Sequence, residues 1–463
     1  MNYNIRGYIY TYLQELIMMT STMLTRVLSP AFPILFVTLA SAQPYFEDMR
    51  FTPKDLPADQ SYGQLVSIHD GLFTVGASYY DNEGAEYGVA YAHKLSNPQD
   101  GFEISPGEGG SILNFGPRTV IQDGKIAASV TTNDNGVYTR SVKVYDATDG
   151  SLLYTLSPTD SSNVHAFGRS LSMKDGILAV GSYYDDDNGD YSGSVYLFDA
   201  ETGTFLRKLL AEDGMPSDYF GLSVSIHNGQ VAVGASGHDA NGPSSGAVYL
   251  FDLNTGQQLH KFLADDGHIN HSLGTNIALG DGVVAVGADR DYENGSYAGA
   301  MYLFDTTTGD QIAKVFPDTP EEYEYFGASI SISDGFIAVG AENEDKDEVL
   351  RVGSVYLFEL QTGDQLAKLL PSDTTRNRFF GDSVSLDGSD LIVGSFGAVY
   401  IYNIQSLVCP ADLTGEGDLN FLDVSAFLTA FGNQDSIADF EEDGSFNFLD
   451  VSAYLASFGK GCP

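Results

Sequence analysis

Residues 220–235 read FGLSVSIHNGQVAVGA, and this arrangement of a Phe-Gly pair, two short apolar runs and a central Gly turn recurs along the chain. A fixed period of about 50 residues is typical of radially repeated or stacked modules. A ring of equivalent units usually presents a surface rather than one catalytic cleft. Seven copies, 52 to 54 residues apart, begin at Tyr62-Gly63, Phe115-Gly116, Phe167-Gly168, Phe220-Gly221, Leu273-Gly274, Phe326-Gly327 and Phe380-Gly381.

Each copy contains four short segments with the composition of β-strands. In the fourth copy these segments are 223–226, 231–235, 247–251 and 258–263. They are rich in β-branched and aromatic residues and are bounded by turn residues, which favours antiparallel strands. The first turn is always Asp-Gly or Asn-Gly, which predicts a type I′ hairpin with positive φ at both residues. These dipeptides are Asp70-Gly71, Asp123-Gly124, Asp175-Gly176, Asn228-Gly229, Asp281-Gly282, Asp334-Gly335 and Asp387-Gly388.

Seven units of four strands predict an all-β fold, a seven-bladed β-propeller covering residues 44–407. The seventh copy ends after its third strand, residues 398–403. Residues 45–52 precede Pro53-Lys54-Asp55, as 366–370 precede Pro371-Ser372-Asp373. We therefore expect the N-terminal strand to complete the last blade. Such closure removes exposed sheet edges.

The repeats resemble the FG-GAP repeats of the integrin α-subunit propeller and of many exported bacterial proteins. The resemblance rests on Phe220-Gly221 with 233–236, and on Phe326-Gly327 with 339–342. It implies a seven-bladed propeller used for adhesion or ligand binding. The family's calcium loop lies between its Phe-Gly strand and its Val-Gly-Ala strand. Only the tight Asp-Gly turn stands there in this chain, so the integrin-type calcium sites do not carry over.

Alternation of strand direction places two sets of long loops at the same face of the predicted propeller. We expect any ligand on this long-loop rim, because functional residues favour long loops on a rigid scaffold. The loops are acidic, and we expect exposed loop tips, with cation sites as the alternative. The acidic residues are Asp81, Glu83, Asp185, Asp186, Asp187, Asp190, Asp239, Asp291, Glu293, Glu344, Asp345, Asp55, Asp160, Asp213, Asp266, Asp318 and Asp373.

The chain carries a formal net charge of −41. A field of this sign repels nucleic acid and anionic membrane surfaces, so neither is expected as a partner. It attracts cations, and it also keeps an extracellular protein soluble.

The first 42 residues have the pattern of an export signal. Arg26 precedes the apolar run 31–39, and 40–42, Ala-Ser-Ala, match a small-x-small cleavage site before Gln43. The apolar run is too short to span a bilayer comfortably. We expect a secreted or cell-surface protein whose mature chain starts at Gln43.

After Val408 the pattern changes to a duplicated acidic loop followed by an apolar helix. Residues 420–432 recur nearly unchanged at 447–459, and each copy follows a twelve-residue loop. Calcium prefers six to eight oxygen ligands, and glycine at the sixth position permits the sharp turn of such a loop. The predicted calcium ligands are Asp412, Thr414, Glu416, Asp418, Asn420 and Asp423 in the first loop, and Asp439, Glu441, Asp443, Ser445, Asn447 and Asp450 in the second.

Residues 408–463 resemble a dockerin, which has two loop-plus-helix repeats and aspartate at loop position 12. The resemblance implies calcium as the bound metal and a cohesin-like module as docking partner. Loop positions 10 and 11, which are polar in cellulosomal dockerins, are Phe421-Leu422 and Phe448-Leu449 here. These residues either form a more apolar partner surface or pack within the domain, and we favour internal packing. The two cysteines, Cys409 and Cys462, bracket the segment, and export permits a disulfide between them; two free thiols are the alternative.

No motif in the chain predicts catalytic residues. Residues 242–246 have nucleophile-elbow spacing but lie between two strands instead of before a helix. His268 and His271 form an H-x-x-H in a loop, which predicts two exposed imidazoles. We expect a non-catalytic binding protein that holds a protein or glycan on its rim and is anchored by its C-terminal module. A polysaccharide lyase or hydrolase, and a purely structural surface protein, are the alternatives.

Overall fold

The computed structural model describes residues 49–51, 61–80, 86–106, 111–134, 137–159, 166–345, 349–372, 378–404, 411, 413, 419, 421–434, 438–440 and 445–460. These residues form twenty-eight strands and two C-terminal helices. Seven four-stranded antiparallel sheets account for all the strands.

The strands follow one another in chain order. The first thirteen are β1 Met49–Phe51, β2 Ser61–His69, β3 Leu72–Tyr80, β4 Glu86–Lys94, β5 Asn97–Ile104, β6 Ser111–Gln122, β7 Lys125–Asp134, β8 Val137–Asp146, β9 Leu152–Leu156, β10 Ser170–Lys174, β11 Ile177–Ser182, β12 Ser194–Asp199 and β13 Phe205–Leu209. The next eight are β14 Val224–His227, β15 Gln230–Ala235, β16 Ala247–Asp252, β17 Gln258–Phe262, β18 Ile277–Gly280, β19 Val283–Ala288, β20 Ala300–Asp305 and β21 Gln311–Val315. The last seven are β22 Ser329–Ser333, β23 Phe336–Ala341, β24 Ser354–Glu359, β25 Gln365–Leu369, β26 Ser383–Asp387, β27 Asp390–Ser395 and β28 Ala398–Asn403.

The sheets are the seven blades of a β-propeller. Sheets 1 to 6 each contain four consecutive strands, starting with β2–β5 and ending with β22–β25. Sheet 7 has the order β26-β27-β28-β1. The first strand of every sheet packs against the first strands of both neighbouring sheets, and β26 packs against β2. The predicted seven-bladed architecture is therefore confirmed.

In sheet 7 the outer position is taken by β1, the first strand among the described residues. Met49–Phe51 pairs antiparallel with β28, with Arg50 opposite Tyr400. In sheets 3 to 6 the residue opposite the equivalent tyrosine is a lysine, for example Lys368 opposite Tyr356. The cation of Arg50 lies 5.9 Å from the Tyr400 ring centroid, and that of Lys368 lies 5.0 Å from the Tyr356 ring. Arg50 thus occupies the position of the repeat's lysine.

Two glycines of the repeat allow neighbouring blades to approach closely. Gly221, the glycine of the Phe-Gly pair, has φ +87° and packs against the backbone of the preceding sheet. Gly234, the glycine of Val-Gly-Ala, faces the backbone carbonyl of Gly274 in the next sheet. A Cβ at Gly234 would lie 2.1 Å from that oxygen. The Phe-Gly and Val-Gly-Ala motifs are therefore the two sides of one contact between blades.

The first hairpin turns follow the sequence prediction in five sheets of seven. Both turn residues have positive φ at 70–71, 123–124, 175–176, 228–229 and 334–335. In sheet 5 only Gly282 of the predicted pair has positive φ. In sheet 7, Asp387 pairs with Asp390, so the turn is Gly388-Ser389 with positive φ at Gly388 alone. The prediction of a type I′ Asp-Gly turn was wrong for these two sheets, because one positive-φ glycine is enough to reverse a hairpin.

The hydrophobic core of the propeller lies between adjacent sheets. Phe220 and Tyr249 of sheet 4, for example, pack with Leu197 and Leu209 of sheet 3 in one buried cluster. Equivalent clusters separate the other sheets, and Phe51 of β1 belongs to the cluster between sheets 7 and 1.

The C-terminal segment contains α1, Phe421–Asn433, and α2, Phe448–Lys460. Phe427 and Tyr454, one from each helix, stack with ring centroids 4.0 Å apart and are almost completely buried. The helical spacing predicted from the sequence is confirmed. Phe421 and Leu428, two of the apolar residues in that pattern, are exposed instead of buried.

Candidate functional site

One face of the propeller carries all the long connections among the described residues. Second strands end there and first strands begin there, because neighbouring strands run antiparallel. We call this face the long-loop rim. Its described loops lie within residues 183–193, 210–222, 236–246, 263–275, 289–299, 316–328, 342–353 and 370–382.

Backbone hydrogen bonds join the long loops of successive sheets into fixed pairs. The N–H of Tyr219 donates to the carbonyl of Tyr191 (3.1 Å), and that of Phe220 donates to Ser192 (3.0 Å). The same contact recurs three more times, at Leu273–Ser245, Phe326–Ala298 and Phe380–Val352. The rim is therefore held by backbone contacts that do not depend on a ligand.

The paired loops hold bulky residues in the left-handed backbone region. Tyr191, Tyr297, Tyr323 and Tyr325 have φ between 54° and 65°. This conformation is unfavourable for residues with a side chain and clusters at functional sites. Tyr297 stacks on Tyr325 with centroids 5.6 Å apart, and lies 6.0 Å from Tyr323. The rim thus presents fixed aromatic faces.

Large apolar and aromatic side chains are exposed along the rim. Their exposed fractions lie between 41% and 59%, which is high for side chains of this size. These residues are Tyr191, Met215, Ile269, Tyr292, Tyr297, Tyr323 and Leu350. Aromatic side chains are enriched in binding surfaces because they offer large contact areas at low entropic cost.

Several of the rim's acidic residues are buried, contrary to the prediction of exposed loop tips. Asp185, Asp291 and Glu344 occupy equivalent places in sheets 3, 5 and 6, and each lies within 2.9 Å of a lysine nitrogen. Each also accepts a hydrogen bond from the tyrosine in the third strand of its sheet. The lysine and tyrosine come from the two outer strands, which sequence spacing alone did not connect to the loop. These acids are structural ion-pair partners.

Sheet 5 shows the fullest version of this network. The Oδ2 atom of Asp291 lies 2.9 Å from His271 Nε2 and 2.8 Å from Lys314 Nζ. Burial raises the pKa of Asp291, but hydrogen bonds from His271 and Lys314 outweigh it and leave the pKa well below its usual range. Burial likewise lowers the pKa of Lys314, and its hydrogen bonds to Asp266, Asp291 and Glu293 reverse that effect. The charged forms are therefore mutually stabilised.

His271 is fully buried, which corrects the prediction of two exposed imidazoles. His268, His271 and Asp291 place three potential metal-ligating atoms within 4.8 Å of one another. The ammonium of Lys314 nevertheless contacts the same Asp291 oxygen as His271. A metal ion at this oxygen would be repelled by the lysine, so the geometry favours an ion-pair network.

Sheets 4 and 5 contain the same histidine–aspartate pair in opposite order. His271 and Asp291 of sheet 5 are equivalent to Asp218 and His238 of sheet 4, each 53 residues earlier. His238 Nδ1 lies 3.1 Å from Asp218 Oδ2, and both residues are buried. Sheets 4 and 5 therefore accept a histidine–aspartate pair in either order.

This symmetry predicts the outcome of a swap in sheet 4. Asp218→His and His238→Asp should each destabilise the protein, because each leaves two like groups buried together. The double variant restores a complementary pair and should recover about 2 kcal/mol relative to the sum of the single effects. Urea unfolding of the four proteins measures this coupling. Strictly additive effects would show that the two side chains do not interact.

Sheet 6 has glutamate at both equivalent positions. The hydroxyl of Tyr356 lies within hydrogen-bonding distance of both carboxyl groups, 2.8 Å from Glu324 Oε1 and 3.1 Å from Glu344 Oε2. Burial and the charge of Glu344 raise the pKa of Glu324 to about 8. Lys368 lies beside Glu344 and offsets only part of the repulsion.

The raised pKa of Glu324 predicts a loss of stability with rising pH. A carboxyl that binds its proton more tightly in the folded chain lowers stability as pH rises between its unfolded and folded pKa values, here from about 4.5 to about 8. Glu324→Gln should remove this contribution, so its stability relative to the wild type should increase from pH 5 to pH 8. Urea midpoints at both pH values measure the difference. Glu321→Gln, an exposed neighbour, is the control, and a pH-independent difference for Glu324→Gln would contradict the prediction.

The first strands of the sheets enclose a central channel with a volume of about 620 Å³. Its charged lining residues are Arg118, Arg169, Asp289, Glu342 and Asp382. Arg169, Asp289, Glu342 and Asp382 lie next to the long-loop ends of their strands, and Arg118 lies within β6, two residues after Gly116. The five charges therefore line the channel on the side of the long-loop rim. Sequence reasoning did not single out these residues. The sequence does offer an indication of them, because the residues that follow Phe-Gly and Val-Gly-Ala differ between copies that are otherwise similar.

The predicted calcium ligands fall partly outside the described residues. Asp423 and Asp450, at loop position 12, are fully buried in the first turns of α1 and α2. The N–H of Asn447 donates to Asp450 Oδ2 (2.8 Å), and the N–H of Leu449 donates to Asn447 Oδ1 (2.8 Å). Asp439 is half-buried and Ser445 is exposed. Asp412, Thr414, Glu416, Asp418, Asn420, Glu441, Asp443, Cys409 and Cys462 lie outside the described residues.

The two Phe-Leu pairs of the C-terminal segment are exposed. Phe421 and Leu422 are 65% and 56% exposed, and Phe448 and Leu449 are each 55% exposed. The preference for internal packing was therefore wrong: the pairs lie on the first turns of the helices, while Phe427 and Tyr454 of later turns form the core. Each repeat presents an equivalent apolar pair to the surroundings.

Comparison with known families identifies much of the propeller. The FG-GAP repeat family matches residues 153–198, 204–251, 257–304, 310–358 and 364–402. These segments are similar to FG-GAP repeats, and they lie within sheets 2 to 7 of the seven-bladed propeller. No curated protein shows significant similarity to the chain. Among the described residues, no helix is both long and apolar enough to span a membrane.

Proposed function

We propose that this FG-GAP propeller belongs to an exported, non-catalytic binding protein that holds a protein or glycan ligand on its long-loop rim. The observation that carries the proposal is the set of exposed tyrosines fixed in left-handed conformations by loop pairing. Preorganised aromatic faces bind with little entropic cost. The neighbouring acidic groups would add polar contacts to sugar hydroxyls or basic side chains.

Tyr297 and Tyr323 provide the test. The chain from Gln43 onward is screened against immobilised polysaccharides and surface-protein fragments, and each hit is measured by calorimetry. Tyr297→Ala and Tyr323→Ala should each weaken binding about 30-fold, as expected for a central aromatic contact of about 2 kcal/mol. Leu259→Ala, at an exposed apolar side chain on outer strand β17, should leave affinity unchanged. Equal effects of all three substitutions would contradict rim binding.

A polysaccharide-active enzyme is the second candidate. Glu342 and Asp382 in the channel form a hydrogen-bonded carboxyl pair, and burial together with Asp382 raises the pKa of Glu342 to about 8. Pairs of carboxyl groups with different pKa values are typical of general acid–base catalysis. Assays for new reducing ends or unsaturated sugars distinguish the two candidates. Turnover that disappears in Glu342→Gln would replace the binding proposal with an enzymatic one.

The C-terminal segment is proposed to be a dockerin-like calcium module. Residues 408–463 contain ten acidic residues and a single lysine, and two of the aspartates are fully buried. Buried carboxylates require a compensating cation or hydrogen bonds. The oxygen-rich loops fit calcium, which would be held by the twelve residues predicted above and would supply positive charge beside the buried aspartates.

Calorimetry of the full mature chain tests the calcium proposal. Two calcium ions should bind, and Asp412→Ala combined with Asp439→Ala should abolish both events. Glu212→Gln, at an exposed acid of the propeller, is the control. An unchanged calcium isotherm in the double variant would place the ions elsewhere, and no binding at millimolar calcium would refute the loop assignment.

The exposed Phe-Leu pairs are proposed as the docking surface of this module, for a cohesin-like partner with an apolar face. Phe448→Ala with Leu449→Ala should weaken docking to a cohesin panel at least tenfold, whereas Ser452→Ala on the same helix should not. Docking that is insensitive to both changes would leave the pairs without this role. The proposed export signal, 1–42, and the Cys409–Cys462 disulfide are tested by N-terminal sequencing and thiol titration of secreted protein.

The position of Arg50 supports the inference that β1 closes the ring. Removing residues 43–52 would expose the edge of β28 and take Phe51 out of the core between sheets 7 and 1. We expect a lower unfolding midpoint and concentration-dependent association, because a bare strand edge can pair with another chain. A truncated chain with unchanged stability would contradict the inference.

A further inference from the structure

The central channel contains charged groups that the repeat architecture does not require. At the position after the Phe-Gly pair, other copies have Gln64, Pro117, Leu222, Thr275 or Ala328 where sheets 3 and 7 have Arg169 and Asp382; in sheet 2, Arg118 follows one residue later. At the position after Val-Gly-Ala, Ser236 stands where Asp289 and Glu342 occur in sheets 5 and 6. The alternating apolar residues that follow these positions are similar in character in neighbouring copies. The charges therefore reflect something other than blade assembly.

The charges are separated by sign around the channel. Arg118 and Arg169 belong to sheets 2 and 3, whereas Asp289, Glu342 and Asp382 belong to sheets 5, 6 and 7. The sequence order of the sheets is also their order around the ring. The channel therefore has a cationic side and an anionic side.

The anionic side contains an atom without a protein partner. Asp289 Oδ1 is buried and has no hydrogen-bond partner among the described residues. Burial raises the pKa of Asp289, and burial together with Asp382 raises that of Glu342. A positive group placed among these carboxyls would favour their ionised forms.

On the cationic side, the charged form of an arginine is likewise made less favourable by its surroundings. Burial and the neighbouring charge of Arg169 lower the pKa of Arg118 to about 9, although Asp382 acts in the opposite direction. Guanidinium groups bind carboxylates through paired N–H donors. An anionic group between the two arginines would relieve their repulsion.

We propose that the rim end of the channel binds a small zwitterion, with its ammonium group among Asp289, Glu342 and Asp382 and its carboxylate at Arg118 and Arg169. A channel of about 620 Å³ is within the usual range for small-molecule sites. A ligand with a single charge would interact favourably with only one side of the channel. The ligand class is therefore an amino acid or similar amino carboxylate.

A series of ω-amino carboxylates tests both the class and the spacing of the two charges. Calorimetry on the mature full-length chain uses glycine through 6-aminohexanoate, with butylammonium and butyrate as singly charged probes at equal ionic strength. One chain length should bind with 1:1 stoichiometry at least tenfold more tightly than either singly charged probe. No binding, or equal binding of zwitterions and singly charged probes, would overturn the proposal.

Variants place the ligand in the channel. Arg169→Gln and Glu342→Gln should each weaken the best zwitterion at least tenfold, while Glu212→Gln and the rim variant Tyr297→Ala leave it unchanged. Circular dichroism and urea midpoints identify any variant that fails to fold, and the other variant then carries the test. Loss of binding in Tyr297→Ala, or none in Arg169→Gln and Glu342→Gln, would overturn the channel assignment.

Proton release provides a readout that a purely structural role would not change. A bound ammonium should lower the pKa of Glu342 from about 8, so binding at pH 7 should release protons. Titrations in buffers of different ionisation enthalpy measure this release, which should shrink in Glu342→Gln. Binding without proton release would show that the ammonium group lies elsewhere.

Discussion

Asp291→Ala should destabilise the protein by about 3–5 kcal/mol, the usual cost of removing one partner from a buried ion pair. The substitution leaves the Lys314 ammonium and the His271 ring without the oxygen that lies 2.8 and 2.9 Å from them. It also removes the acceptor for the N–H of Glu293 (2.8 Å). Urea denaturation measures the loss.

Asp281→Ala is the matched control for this prediction. Asp281 lies 2.8 Å from His227 Nε2, but its side chain is largely exposed at the opposite face. Exposed pairs contribute little to stability, so this variant should unfold at nearly the wild-type midpoint. If Asp291→Ala were as mild as Asp281→Ala, the buried network would be dispensable and the loop acids would be free for another role.

Gly234→Ala should cost about 3 kcal/mol, the upper part of the usual range for overpacking. Its Cβ would lie 2.1 Å from the carbonyl oxygen of Gly274, which belongs to the backbone of the next sheet. A backbone atom held between two packed sheets has little room to move. The N–H of Gly234 also donates to Ser223 (3.0 Å), so the strand itself is anchored.

Gly229→Ala separates this steric effect from backbone strain. Gly229 has φ +74°, but nothing lies within 4 Å of its added Cβ. Only the left-handed strain of about 1–2 kcal/mol should remain. The unfolding free energies of the two variants are compared under the same conditions. A smaller loss at Gly234 than at Gly229 would contradict the proposed contact between blades.

The propeller could be predicted from the sequence because its signals are local and are repeated seven times. Strand bounds in the fourth copy agree with the structure to within one residue at each end. The two turns that were wrong, at Gly282 and Gly388, show the limit of a dipeptide signal. In sheet 7 the pairing of Asp387 with Asp390 moves the turn to Gly388-Ser389, whereas the turn of sheet 5 has the same register as that of sheet 4 and its different φ has no structural explanation.

The sequence predicted which face of the propeller carries the candidate site, but not the roles of its individual residues. Alternating strand direction placed the long loops together, and the structure confirms this. The roles of individual acids were not predictable, because Asp185, Asp291 and Glu344 meet lysines that come from another strand of the sheet. Their burial depends on contacts between residues more than ten positions apart in the chain, which composition does not reveal.

The sequence by itself determined the period, the strands, the number of blades and the two C-terminal helices, because each depends on neighbours within a few residues. Only the tertiary structure decided which charges are buried and paired, which tyrosines are exposed, and that Phe421 and Phe448 lie outside the helical core. It also brought Arg118 and Arg169 opposite Asp289, Glu342 and Asp382 across the channel. The reason is that burial and Coulomb interaction depend on distance in space, and closing a ring places residues from distant repeats around one axis.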